Sequence, residues 1–153
     1  MKSERPGERG LPKSSVEEVE LEAGGVRGDF NRYRHELLAD EPTSAVLVMP
    51  LEMLETLRAE GWPVAPGDLG ENLTSSGVPY EELQPGVVLA MGSAAAQITR
   101  PCDPCRQLYG LPYVGKDRGP EFVRTLLGRR GWYARVLRPG RVRRGDAIRV
   151  TRT

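Results

Sequence analysis

Apolar and polar positions in this chain change rhythm every few residues. Residues 87–91 and 94–99 are two apolar runs broken only by Gly92-Ser93, which reads as a hairpin with a two-residue turn, glycine supplying the positive φ. Residues 16–22 place Val16, Val19 and Leu21 among four glutamates, and Gly24-Gly25 ends the run abruptly, so it is read as a strand. Residues 45–49 form a short, wholly apolar run suited to a buried strand. Helical spacing occurs twice. Pro50 is expected to open the first helix, where Leu51, Leu54 and Leu57 make one stripe with Met53 beside it, and Gly61 and Pro63 stop it. After Pro120, Phe122 and Leu126 share a face and Gly128 follows, predicting a second helix over 120–127 with proline first. Trp132 opens an apolar run to 137 and another spans 147–151, predicting two strands around a basic turn that holds Arg138, Arg141, Arg143 and Arg144.

Gly/Pro pairs punctuate the rest: Pro66-Gly67-Asp68, Pro85-Gly86, Pro139-Gly140 and Gly145-Asp146. Many short strands with such punctuation predict a sandwich or barrel, mainly β, with two short covering helices. The polar first residues, 1–12, read as a flexible lead-in, and 13–153 as a single domain.

Composition narrows the function classes. With 153 residues the chain can bury a core without disulfides or metals. A net charge of +1 gives no global field favouring nucleic acid. Arginine outnumbers lysine 19 to 3, which suits planar recognition of phosphate or carboxylate, though a biased source composition yields the same ratio. No apolar run approaches a membrane span, and the N-terminal stretch lacks the apolar core of a secretory signal. Two cysteines without an export signal point to the cytoplasm.

Both cysteines lie in Arg100-Pro101-Cys102-Asp103-Pro104-Cys105-Arg106, directly after the most strand-like run. Neither proline can donate to a sheet ladder, so the chain is expected to leave the sheet near Arg100 and present its thiols on a stiff loop. The positive charges of Arg100 and Arg106 would favour a thiolate at Cys105, a soft metal ligand. The bland alternative is a buried structural cysteine. A thioredoxin-like redox site would need a long helix next, and Gly110 and Pro112 break the chain too soon. Zinc would need four ligands, and no second cysteine pair exists. A reversible disulfide with Cys102 remains an open alternative. Glu71-Asn72 reads either as an Asx-type turn or as part of a polar pocket, Thr99 as a hydroxyl donor, and Arg100 as an anion grip or a surface ion pair.

Four patches in order resemble the MOSC domain family, named for the C-terminal domain of molybdenum-cofactor sulfurases. They are Leu11-Pro12-Lys13-Ser14 with 21–29 ending in Gly28-Asp29; Pro66-Gly67-Asp68-Leu69-Gly70-Glu71-Asn72-Leu73-Thr74 with Gly77-Val78; the loop 100–108 with Pro104-Cys105; and Arg130-Gly131-Trp132-Tyr133-Ala134-Arg135-Val136 leading to Gly140 and Gly145-Asp146. Where the family often carries a histidine after its first Gly-Asp, this chain has Phe30-Asn31, with His35 later.

The resemblance implies a closed or partly closed, pyruvate-kinase-like β-barrel that binds molybdenum cofactor, with Cys105 as metal ligand and catalytic residue. For the cofactor it implies Glu71, Asn72, Thr99 and Arg100 around the pocket, Arg130 at its rim, and Lys13, Arg27, Arg32 and Arg34 as candidates for the phosphate. Some relatives are fused to a pyridoxal-phosphate sulfurase domain, and this chain reads as the stand-alone form. The activity implied is reduction of N-hydroxylated or N-oxide compounds, with electrons from a separate partner, since no flavin or nicotinamide motif is visible. The alternatives are a persulfide-sulfur or cofactor carrier serving a sulfurase partner, and a non-catalytic anion-binding module. No nucleic-acid or membrane partner is expected.

Overall fold

The computed structural model describes residues 11–29 and 41–152. Two sheets share one core. A six-stranded sheet runs in the order β4-β3-β7-β6-β5-β9 and a three-stranded sheet in the order β2-β1-β8. The strands are β1 (Glu18–Glu22), β2 (Gly25–Val26), β3 (Val46–Pro50), β4 (Leu73–Ser75), β5 (Val88–Met91), β6 (Ala94–Pro101), β7 (Trp132–Arg138), β8 (Gly140–Arg143) and β9 (Ile148–Thr151). Among the described residues, only β3 and β4 pair in parallel. The large sheet curls, and the small one lies across it, giving the partly closed β-barrel expected from the sequence. No helix among the described residues is long and apolar enough to cross a membrane.

Local chemistry explains the elements that match. The hairpin closes with Met91 opposite Ala94, and Gly92 takes φ +56° in the turn. β3 is buried along its whole length, which its unbroken apolar run requires. Alternating buried and half-buried positions in β5 put Leu89 and Met91 into the core with Leu21, Val46, Val48 and Ile98. Helix α1 (Leu51–Ala59) buries Leu54 and Leu57 and ends before Gly61, which has φ +101°. Pro50 precedes this helix rather than opening it, because it still pairs with Ser75 as the last residue of β3.

Two expectations need correction. Helix α2 spans Gly115–Thr125, so Pro120 lies inside it. Gly119, with no side chain, lies directly against the Tyr109 ring, and this contact docks the first half of the helix. Pro120 sits exposed on the outer side, where its missing N–H costs one early helical bond. The basic turn after Trp132 contains a third strand, β8. It pairs with β1, setting Glu18 opposite Arg143 and Glu20 opposite Arg141. Acidic β1 therefore supplies a partner that the arginine-rich segment lacks by itself.

A second apolar cluster lies under the helices, where Trp62, Leu69, Leu108, Leu111, Phe122 and Leu126 pack together with Leu11 at the margin. The loop carrying the cysteines leads directly into this cluster through Leu108 and Leu111.

Candidate functional site

β6 reaches Pro101, which still faces Trp132 of β7, and only then does the chain leave the sheet. The next residues separate the two thiols. Cys102 is 3% exposed, packs with Leu47 and Tyr133, and donates its N–H to Gly131 O at 2.9 Å. Burial pushes its thiol above the ordinary range, although Arg130 and a Tyr133 hydrogen bond pull the other way. Cys105 is half-buried, both cysteines are free, and a single 3₁₀ segment (Arg106–Gly110) follows in place of a long helix.

Arg130, itself 6% exposed, fastens this loop. Its Nη1 donates to Asp103 O at 2.9 Å and to Cys105 Sγ at 3.3 Å, and its Nη2 donates to Leu69 O at 3.2 Å. Burial works against the guanidinium charge, but the two sulfurs and Tyr133 more than offset it and raise its pKa. A fixed fork of donors suits this bridging task in a way a lysine could not.

Leu69 leads through Gly70 to the second part of the site. Glu71 is 4% exposed; its Oε1 accepts from Gly67 N–H at 2.7 Å and from Thr74 Oγ1 at 3.3 Å. Burial raises its pKa, against the pull of Gly67 N–H, its own amide, Lys13 and Thr74. Asn72 ties β3 to the N-terminal segment: Oδ1 accepts from Leu47 N–H at 2.9 Å, and Nδ2 donates to Asp29 Oδ2 at 2.7 Å. The same carboxylate oxygen meets Lys13 Nζ at 2.7 Å, both side chains almost wholly buried. Gly67 makes the approach possible. It has φ +93°, and a side-chain carbon there would collide with the carbonyl of Lys13, whose N–H it receives at 3.0 Å.

These groups line a cavity of about 340 Å³ between β4 and β9, the two edge strands of the large sheet, with Val19 of β1 and Val142 of β8 across from them. Lys13, Asp29, Glu71, Asn72 and Ser75 face it, and Arg143 and Arg144 also border it. Cys105 and Arg130 do not line this cavity; they join it through Leu69 and Gly70.

The structure thus gathers Lys13, Glu71 and Asn72 at the cavity and Cys105 with Arg130 beside it. Other expected site residues are engaged elsewhere. Thr99 Oγ1 donates to Thr43 O at 2.6 Å and Tyr133 O at 3.2 Å. Arg100 donates to Ser44 Oγ at 2.7 Å and lies over the Tyr133 ring. Arg27 pairs on the surface with Glu20 and Glu22. Arg32, Arg34 and His35 lie outside the described residues. Asp29 and Ser75 join the site without having been expected there. Asp29 was visible in the Gly28-Asp29 pair; Ser75 carried no signal.

Comparison with known proteins bears on the fold and the family. The model of the MOSC domain matches residues 34–149. The structure resembles YiiM from Geobacillus stearothermophilus at 26% identity and a TM-score of 0.61, covering 72% of this chain and 55% of that one. The YUAD protein from Bacillus subtilis gives 25% identity and a TM-score of 0.71, covering 88% of this chain and 85% of that one. YiiM from Escherichia coli, at 24% identity, shares the fold with a TM-score of 0.67 over 92% of this chain and 66% of its own. The chain therefore spans between about half and two thirds of the YiiM structures it resembles. No curated protein sequence matches it. A family match over residues 34–149, most of the chain, on a partly closed β-barrel makes this a member of the MOSC domain family.

Proposed function

We propose that this MOSC protein binds molybdenum cofactor with Cys105 as its metal ligand and acts as a small oxidoreductase on N-hydroxylated or N-oxide compounds. The contact that carries the reading is Arg130 Nη1 to Cys105 Sγ at 3.3 Å, on a half-buried sulfur whose neighbour Cys102 is packed away. Thiolate sulfur is a soft donor suited to such a metal. Among the described residues no group of three His, Cys, Asp or Glu is placed to hold a bare ion. A metal arriving with its own dithiolene chelate needs only one protein ligand, so this donor set fits the cofactor. Bound there, the metal would supply two-electron oxygen-atom transfer. The chain's part is to hold: Cys105 ligates, Arg130 fixes the direction of the sulfur, and Glu71 with Asn72 offers polar partners for the organic portion. Electrons would come from a separate protein.

Metal and pterin content measured on one purified sample, made in a host that synthesises the cofactor, tests the reading. Molybdenum and pterin together are expected in the parent and in Cys102→Ser, with molybdenum and hydroxylamine reduction lost in Cys105→Ser. The reverse pattern would assign the role to the other thiol. Cyanide-releasable sulfur on Cys105 without pterin would make the chain a sulfur carrier instead.

A further inference from the structure

Four neighbouring strands of the large sheet, β7, β6, β5 and β9, carry no aspartate or glutamate; their charged residues are Arg100, Arg135, Arg138 and Arg149. Strand alternation decides where these point. Leu89, Met91, Ala96, Ala134 and Val150 pack into the core, so Val88, Ala90, Gln97, Arg135 and Arg149 lie on the outer face. Arg138 joins them through the bulge that sets it opposite Ala95, and Leu137 in that bulge is 48% exposed. The register then makes one row of Arg138, Ala95, Ala90 and Arg149. The two arginines stand three strand spacings apart, roughly 14 Å at the backbone, with only alanine between them.

These cations differ from those of β8, where Glu18 meets Arg141 and Arg143. Among the described residues no carboxylate meets Arg135, Arg138 or Arg149, and all three are exposed. Arg135 Nε donates to Gln97 Oε1 at 2.8 Å and Arg138 Nε to Ser93 O at 3.0 Å. Neutral acceptors hold those two guanidiniums in place and leave their charge unmet. A nucleic acid would want aromatic rings for its bases, and the one ring facing this way, Tyr133, is covered by Arg100 and Cys102. An apolar centre of Val88, Ala90 and Leu137 inside a cationic rim suits a protein surface instead.

We propose that this outer sheet face docks an acidic protein, whose carboxylates pair with Arg135, Arg138 and Arg149 around a small apolar contact. The face runs through Tyr133 to the cysteine loop, so a docked partner lies beside that loop. For the reading above this is a seat for the electron-supplying protein; the inference itself goes beyond that reading and needs neither metal nor Cys105.

The full chain is titrated, by fluorescence anisotropy, into a labelled peptide of repeated Glu-Glu-Leu units, with a Gln-Gln-Leu peptide and an oligothymidine of matched charge as rivals. Saturable binding of the acidic peptide is expected, weakened at least threefold between about 50 and 300 mM salt. Arg135→Gln, Arg138→Gln and Arg149→Gln together should weaken it by about tenfold or more. Ala90→Glu, which sets a carboxylate at the centre of the face, should do the same by repulsion. Arg27→Gln, Arg118→Gln and Arg141→Gln together remove the same charge from carboxylate-paired sites and should bind like the parent. Absence of saturable binding, equal binding of the glutamine peptide, or equal losses in the two triple variants would overturn the assignment. Tighter binding of the oligothymidine would make this a nucleic-acid face and overturn it too. Peptide binding that depends on the three arginines, in a protein that never carries molybdenum, would uphold this inference while the metal-ligand reading fell. Molybdenum held through Cys105, with no peptide binding, would leave that reading standing alone.

Discussion

Two polar networks in this molecule use the same kinds of residue in opposite ways. On the surface, acidic β1 meets basic β8: Glu18 pairs with Arg141 and Arg143, Glu17 with Arg144, and Glu20 and Glu22 with Arg27. Inside, Lys13, Asp29 and Asn72 form one buried chain, and Arg130 clasps Cys105, Asp103 and Leu69. The surface set has more ion pairs, yet water and salt screen each of them, and long side chains lose freedom in forming them. The buried set has few members, but removing one leaves another charge or carbonyl without water or a partner. The number of pairs is therefore a poor guide to importance; what each partner would face alone decides it.

The sharpest test is Asp29→Ala. It strands the Lys13 ammonium and the Asn72 amide together, and a loss of about 3–5 kcal/mol in urea-unfolding free energy is expected. A loss below about 1 kcal/mol would place the buried chain on a par with the surface set. Next comes Arg130→Met, which keeps bulk but removes every donor to Leu69 O, Asp103 O and Cys105 Sγ. Roughly 2–4 kcal/mol should be lost, and limited proteolysis should cut faster near 103–106.

Glu71 gives a smaller, pH-dependent effect. Burial raises its pKa above the ordinary 4.5, so the folded protein keeps a proton that the unfolded chain has released. That contribution is full below the unfolded value and is lost as pH rises through the raised folded value. The stability of the parent relative to Glu71→Gln should therefore fall as pH rises from 4.5 upward, read from urea midpoints across the range. A flat difference would mean that the carboxyl stays ionised. Smallest of all, Arg143→Ala should leave the melting temperature indistinguishable from the parent, and added salt should not change that result. A clear drop would show that the β1–β8 ladder acts as a unit.

The same contrast explains what the sequence disclosed. The Gly92 hairpin and helix α1 were legible because their signals are local: a turn residue between two runs, or leucines three apart. The departure of the cysteine loop from the sheet was legible from its prolines, whereas the role given to Cys105 rests on the family pattern around it. β8 was hidden because Gly140-Arg141-Val142-Arg143 offers one apolar residue and gains its meaning from glutamates on β1. The start of α2 was hidden because Gly119 is placed by the Tyr109 ring rather than by helix chemistry. Within the site, Lys13 and Asp29 are 16 residues apart, and Asp29 and Asn72 are 43 apart. No periodicity spans such gaps. Arg130 was expected at a pocket rim, and its hold on the cysteine loop needed coordinates.

The clasp also sets an order of events during synthesis. Cys105 emerges from the ribosome 25 residues before the arginine that will hold it. For that interval the nascent sulfur has no guanidinium beside it, and pairing of β7 with β6 must follow before the loop is seated. A chain that stops short of residue 130 would therefore carry the same sulfur on a loop with nothing to clasp it.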